Sequence, residues 1–169
     1  DIAANPGVGT TANTWTYDPT APTLTITTVP TSPSKTKTAL VYTFEFSEDV
    51  TGFTAADITL NFAGAGAGAV DGATFAATDA NTYTLALDAG QDAIDRAALT
   101  TGQTVVVSVD MTGLTDIAAN PGVGTTANTW TYDSTAPTVS LDDNHADLIV
   151  RDTDTVIITA TFSEAMTSA

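Results

Sequence analysis

Apolar and polar residues alternate along much of this chain, and the alternation comes in short runs. Between Thr23 and Val29, Leu24 and Ile26 fall on one face and threonines on the other. Between Ala39 and Phe46, the residues Leu40, Tyr42, Phe44 and Phe46 share a face. Ile58, Leu60 and Phe62 repeat the pattern, as do Tyr83, Leu85 and Leu87, then Val105, Val107 and Val109, and finally Trp130 and Tyr132. A weaker run surrounds Phe75. Successive side chains of an extended strand point to opposite faces, so each run predicts a half-buried β-strand. Asp92 to Leu99 stands apart and reads as one or two helical turns.

Seven short strands with Gly, Pro, Asn and Asp between them predict an all-β immunoglobulin-like β-sandwich. Gly64-Ala-Gly-Ala-Gly-Ala69 falls between the third and fourth strands. It lacks the Lys and Ser/Thr of a phosphate loop and reads as a flexible connection.

The chain also repeats itself. Residues 1–23 return as residues 116–138 with Ser134 in place of Pro19 as the only change, an offset of 115 residues. That period is the size of one small domain and marks tandem modules. Thr-Ala-Pro-Thr at 20–23 leads to Phe46-Ser-Glu-Asp-Val50, and the same residues at 135–138 lead to Phe162-Ser-Glu-Ala-Met166. The expected organisation is therefore the last strand of one module at 1–17, a complete module at 18–133, and the first strands of another at 134–169.

Composition narrows the function. Threonine, a strand former, supplies 36 of 169 residues. Lys and Arg together number four against 20 Asp and Glu, for a net charge of −16. A nucleic-acid partner is excluded, because phosphate binding needs clustered cations. Divalent cations are the natural counter-charge. Cysteine is absent, so stability must come from the core, from adjoining modules or from metal. No apolar run reaches the length of about 18 residues that spans a bilayer.

Thr-Ala-Pro-Thr followed by Phe46-Ser-Glu-Asp-Val-Thr-Gly-Phe-Thr-Ala-Ala-Asp-Ile-Thr59, and then Asp116-Ile-Ala-Ala-Asn120, resembles bacterial Ig-like repeats. Such repeats form the stalks of large extracellular adhesins and biofilm-associated surface proteins, often with calcium between modules. The resemblance covers the complete module and both flanks. Ala119 stands where the family often has Gly. The resemblance implies a secreted protein at the bacterial cell surface.

Sandwich topology supplies a geometric argument for metal. Strands run alternately up and down, so the loops after the second, fourth and sixth strands lie at one end, beside the linker that enters the module. Asp18 is in that linker, Glu48, Asp49 and Asp57 follow the second strand, and Asp116 and Asn120 follow the sixth. Calcium takes six to eight hard oxygen ligands in flexible geometry, and these side chains offer them. Asp133 and Glu164 are the corresponding pair at the next junction. A further acidic group, Asp142, Asp143, Asn144, Asp147, Asp152 and Asp154, matches neither an EF-hand loop nor a nonapeptide repeat.

Catalysis has little support. His145 is the only histidine, no cysteine is present, and there is no aromatic sugar platform beside the carboxylates. Both tryptophans lie in the repeated last strand and are expected in the core. Lysine cross-links would need a buried lysine, whereas Lys35 and Lys37 fall in a polar turn. The expected function is a non-enzymatic, calcium-stiffened stalk module for adhesion or biofilm formation. Its partners are neighbouring modules of the same protein and possible neighbouring copies joined by strand complementation. The alternatives are a subunit of a self-assembling surface layer or filament, and an accessory module of a secreted polysaccharide-degrading enzyme.

Overall fold

The computed structural model describes residue 3 and residues 9–63, 66–145 and 149–166. The alternating runs become strands β1 (Leu24–Val29), β2 (Val41–Phe46), β4 (Ile58–Phe62), β6 (Thr74–Ala77), β7 (Thr82–Ala86), β8 (Thr104–Asp110) and β10 (Thr125–Thr131). Short strands β3 (Val50–Thr51), β5 (Gly66–Ala69) and β9 (Thr115–Asp116) lie between them, and helix α1 spans Gly90–Ala98. One four-stranded sheet has the order β1-β2-β7-β6 and the other β10-β8-β4-β5, all antiparallel. This is the immunoglobulin-like sandwich that the alternation predicts.

The inward faces of both sheets meet in one core, in which Trp130, Tyr42 and Phe44 are fully buried. Complete burial of a large apolar side chain contributes about 1.5 to 3 kcal/mol. The Tyr42 hydroxyl donates to the Val105 carbonyl 3.2 Å away, so the opposite sheet satisfies its one polar group. Phe53 lies outside any strand yet joins the aromatic part of the core. Its ring makes edge contacts with Phe44, Phe46, Phe75 and Tyr83 at 5.4, 5.1, 5.5 and 4.9 Å. Edge-to-face pairs at these separations add to simple burial.

Gly66–Ala69 is a strand rather than a loop. It pairs antiparallel with β4, Thr59 opposite Ala69 and Phe62 opposite Gly66. Its small residues gave no alternation to read, and the partner strand supplies the order that propensity does not. Gly64 and Ala65 lie outside the described residues. Helix α1 docks beside this strand through Gly72 and Gly90, both at positive φ, where a Cβ on Gly72 would meet the Gly90 Cα at 2.4 Å. That close approach buries Asp92 in the helix, and its Oδ2 accepts the Asp71 N–H at 2.7 Å. Burial pushes the Asp92 carboxyl above its ordinary range.

The two copies of the repeated segment differ. Residues 10–23 carry no strand, and Trp15 and Tyr17 are 88% exposed. The identical Trp130 sits on β10, paired with β8, and is fully buried. The expectation that tryptophan fills a core therefore applies to Trp130 and not to Trp15, because only β10 has a neighbouring strand and an opposing sheet. Beyond the sandwich, β11 (Val139–Asp143) pairs with β12 (Ile158–Phe162). Val139 faces Phe162 as Leu24 faces Phe46, the register that the repeat requires.

Phe53→Ala should lower the unfolding free energy by about 3 to 5 kcal/mol, and Phe53→Leu by clearly less. Chemical denaturation of the two variants and the parent would check this. Equal stability of all three would contradict a packing role for the ring.

Candidate metal centre

Asp18, Glu48 and Asp116 come from three segments far apart in the chain, yet carboxylate oxygens of all three lie within 4.8 Å of one another. Local hydrogen bonds account for the convergence. Asp116 belongs to β9, which pairs with β3, Val50 opposite Asp116. That short ladder brings the Glu48 arm alongside. Asp116 is 3% exposed, its Oδ1 accepting the Asn120 N–H and its Oδ2 the Asn120 side-chain amide, both at 2.7 Å. The same amide donates to the Asp18 carbonyl at 2.9 Å and so fastens the linker to the turn. Further along, the Thr23 N–H donates to Ser47 Oγ at 3.0 Å and the Ser47 N–H returns to the Thr23 carbonyl at 2.9 Å.

Ala119 completes the turn with φ +67°, a left-handed conformation that glycine adopts freely and alanine at a cost. A glycine here, the residue that the resemblance leads one to expect, would take the same conformation without that cost.

The electrostatics follow from the geometry. Burial raises the Glu48 carboxyl above 4.5, and the neighbouring Asp18 and Asp116 carboxylates raise it further. Burial also acts upward on Asp116, but hydrogen bonds from Asn120 and the Ala118 N–H outweigh it and hold the carboxyl below 3.8. No lysine or arginine among the described residues forms a salt bridge with these groups. Lys37 is occupied elsewhere, its ammonium 4.5 Å from the Tyr132 ring centroid and donating to the Leu99 carbonyl. Arg96 is buried and donates to the carbonyls of Leu87 and Lys37.

The donor set suits a hard cation. Calcium–oxygen bonds of about 2.3 to 2.6 Å place two ligands of one ion no more than about 5 Å apart, and the three oxygens fall within that span. Of the other residues that the sequence proposes, Asn120 is a support, since its amide holds both Asp116 and Asp18. Asp57 closes a capping box, its Oδ2 accepting the Thr54 N–H at 2.8 Å. Asp49 is exposed and acts on Tyr83, together with Asp79.

At the next junction, Asp133 Oδ1 accepts the Thr135 N–H at 2.9 Å, as Asp18 Oδ1 accepts the Thr20 N–H at 2.9 Å. Thr138 and Ser163 reproduce the bonds of Thr23 and Ser47, which puts the exposed Glu164 in the place of Glu48. Thr101 Oγ1 also donates to Asp133, so this carboxylate is partly satisfied within the module. In the further acidic group, Asp142, Asp143, Asn144 and Asp154 each accept a nearby backbone N–H. Asp147 lies outside the described residues. His145 Nε2 is 3.8 Å from Asp154, on the segment that carries β11 and β12.

Sequence reasoning missed the buried pair Asp92 and Arg96, which share one face of α1 at a spacing of four. The spacing was visible, but nothing in the sequence said that this face was covered. A cleft of about 200 Å3 lies between α1 and the β4–β5 pair, with Asp71, Asp92 and Asp95 among its lining residues.

The two packed antiparallel sheets define an Ig-like module, and comparison with known families agrees. The profile of the bacterial Ig-like domain matches residues 18–132, more than half of the chain. The chain belongs to the bacterial Ig-like domain family. Searches of curated proteins and of solved structures gave no match.

Two outcomes follow for this end of the module. Ala119→Gly should leave the melting temperature unchanged or raise it, since relief of the left-handed strain offsets glycine's greater freedom in the unfolded chain, each about 1 kcal/mol. Ala119→Val should lower stability, and a Val variant as stable as the parent would contradict the turn geometry. The second concerns pH in the presence of chelator. A raised carboxyl binds its proton more tightly in the folded state, so Glu48 withdraws stability as pH rises through the window above 4.5. Asp116 acts oppositely, its contribution present above 3.8 and lost as pH falls through its lower folded value. Glu48→Gln should therefore remove a decline in melting temperature between pH 4.5 and neutrality. Parallel pH profiles for parent and variant would contradict the assignment.

Proposed function

We propose that this chain is part of a tandem array of Ig-like modules in an extracellular bacterial protein, and that calcium at each module entrance stiffens the array into a stalk. The observation that carries this reading is the meeting of Asp18, from the linker, with Glu48, from the connection between β2 and β3, and Asp116, from β9. An ion held by all three ties the linker to the module it enters. Asp18 and Glu48 supply charge, Asp116 supplies a carboxylate already oriented by Asn120, and Asn120 holds the linker backbone in place. The near-perfect repeat of residues 1–23 at 116–138 supports an identical joint at each module boundary.

A stalk has no chemistry of its own, and its task is to keep a distal adhesive region away from the cell. Neighbouring modules are its partners. No helix among the described residues is long and apolar enough to cross a membrane. An extracellular place also suits the metal, because calcium there is abundant and the absence of cysteine leaves no disulfide to stabilise the fold.

Calcium should raise the melting temperature, by mass action contributing about 2.7 kcal/mol when its free concentration is a hundredfold above the dissociation constant. Chelation should leave the sandwich folded by circular dichroism while making multi-module chains more flexible in X-ray scattering. Glu48→Ala or Asp116→Ala should weaken the calcium response, whereas Asp88→Ala, at the opposite end, should preserve it. Melting and scattering curves that coincide with calcium and with chelator would sink the reading.

A further inference from the structure

An ion held by Asp18, Glu48 and Asp116 fastens a linker to the module that it enters and leaves the other side of the joint untied. Two rigid bodies bend about any connection that is fixed to only one of them. The sequence repeat sets Asp133, Ser134 and Thr135 in the places of Asp18, Pro19 and Thr20. The chain therefore also shows the other side of a joint, where a linker leaves the sandwich.

There the linker is held by the turn between α1 and β8, with Thr101 at its centre. Thr101 Oγ1 donates to Asp133 Oδ1 at 3.1 Å, accepts the Ser134 N–H at 3.0 Å, and lies 3.2 Å from the Thr135 hydroxyl. A threonine hydroxyl carries one proton and two lone pairs, so it can donate and accept at once. The turn is itself closed. The Gln103 N–H donates to the Thr100 carbonyl at 3.0 Å, and Gln103 Oε1 accepts the Thr100 N–H at 2.7 Å. Backbone bonds bring the chain out beside it, from the Tyr132 N–H to the Gln103 carbonyl at 2.9 Å and from the Gly102 N–H to the Tyr132 carbonyl at 2.8 Å. The Asp133 N–H donates to the Ser34 carbonyl at 2.9 Å, and this backbone support ends there. Among the described residues, the hydrogen bonds that reach from the sandwich to Ser134 and Thr135 all come from Thr101.

We infer that Thr101 is the positioning residue of the joint: it ties the linker to the module that it leaves and holds Asp133 for the ion of the module that it enters. The inference rests on the tandem-array reading. A carboxylate has about four lone-pair sites, so the Thr101 and Thr135 bonds to Asp133 Oδ1 leave capacity for a metal. The same aspartate is then gripped from both sides, by a hydroxyl behind it and an ion ahead. Rotation of one module against the other must break one of the two. Thr101 is exposed and lies outside the core, so its side chain is not needed to fill the fold. The one residue that differs between the two copies of the linker falls at this contact. Ser134 gives Thr101 an N–H, whereas proline has none to give. A linker of the Pro19 kind can be held from behind only through its aspartate and its threonine.

Backbone amide relaxation, measured by NMR on the full chain in chelator, reads the tie at Ser134 and Thr135 against β8 and β10. Rigid backbone gives order parameters of about 0.85 and flexible backbone values below about 0.6. Both linker amides should lie near the rigid value in the parent. Thr101→Val keeps the shape and removes the hydroxyl, and should drop both below about 0.6 while β8, β10 and the melting temperature stay as they were. Thr101→Ser restores the hydroxyl and should return both amides to the parent values. Flexible linker amides in the parent, or rigid ones in Thr101→Val, would overturn the inference, as would a Thr101→Ser chain as loose as Thr101→Val. Loss of order in β8 and β10 along with the linker would also overturn it, by assigning Thr101 to the fold instead of the joint. Working in chelator separates this result from the metal. A linker left loose would not touch the calcium response, and a failed calcium response would not loosen the linker.

Discussion

Three carboxylates held within 4.8 Å of one another, with no cation of the protein forming a salt bridge to them among the described residues, set the terms for one whole end of this molecule. Like charges at that distance repel, and partial burial reduces the screening by water. The fold accepts this cost because each carboxylate is tied to an element that cannot easily withdraw. Asp116 is fixed by Asn120 and by the β3–β9 ladder, Glu48 lies two residues before β3, and Asp18 is fastened through its own carbonyl. Burial raises the Glu48 carboxyl, and the neighbouring Asp18 and Asp116 carboxylates raise it further, which expresses the same conflict.

Much of this was legible in the sequence, and the reasons are physical. Alternation marks a strand only where one face is buried, and the runs at Leu40–Phe46, Ile58–Phe62 and Val105–Val109 face the core. Up-and-down topology then dictated which loops share an end, which sufficed to bring Asp18, Glu48 and Asp116 together on paper. What remained hidden depended on tertiary context. β5 is made of Gly and Ala and becomes a strand only because β4 offers an edge. Phe53 lies in an irregular segment, where no period announces a core residue. Asp57 belonged by position with the other acids, but a Thr three residues earlier captured it as a cap. Trp15 and Trp130 have identical neighbours in sequence and opposite burial, a reminder that a local pattern specifies a strand without specifying its partner.

Calorimetric titration of calcium into the full chain tests the central claim most directly. Saturable binding should be present in the parent and in Asp49→Asn and Asp57→Asn variants, and should be lost in Glu48→Gln and Asp116→Asn. Absence of saturable binding in the parent, or binding indifferent to Asp116→Asn, would contradict the account.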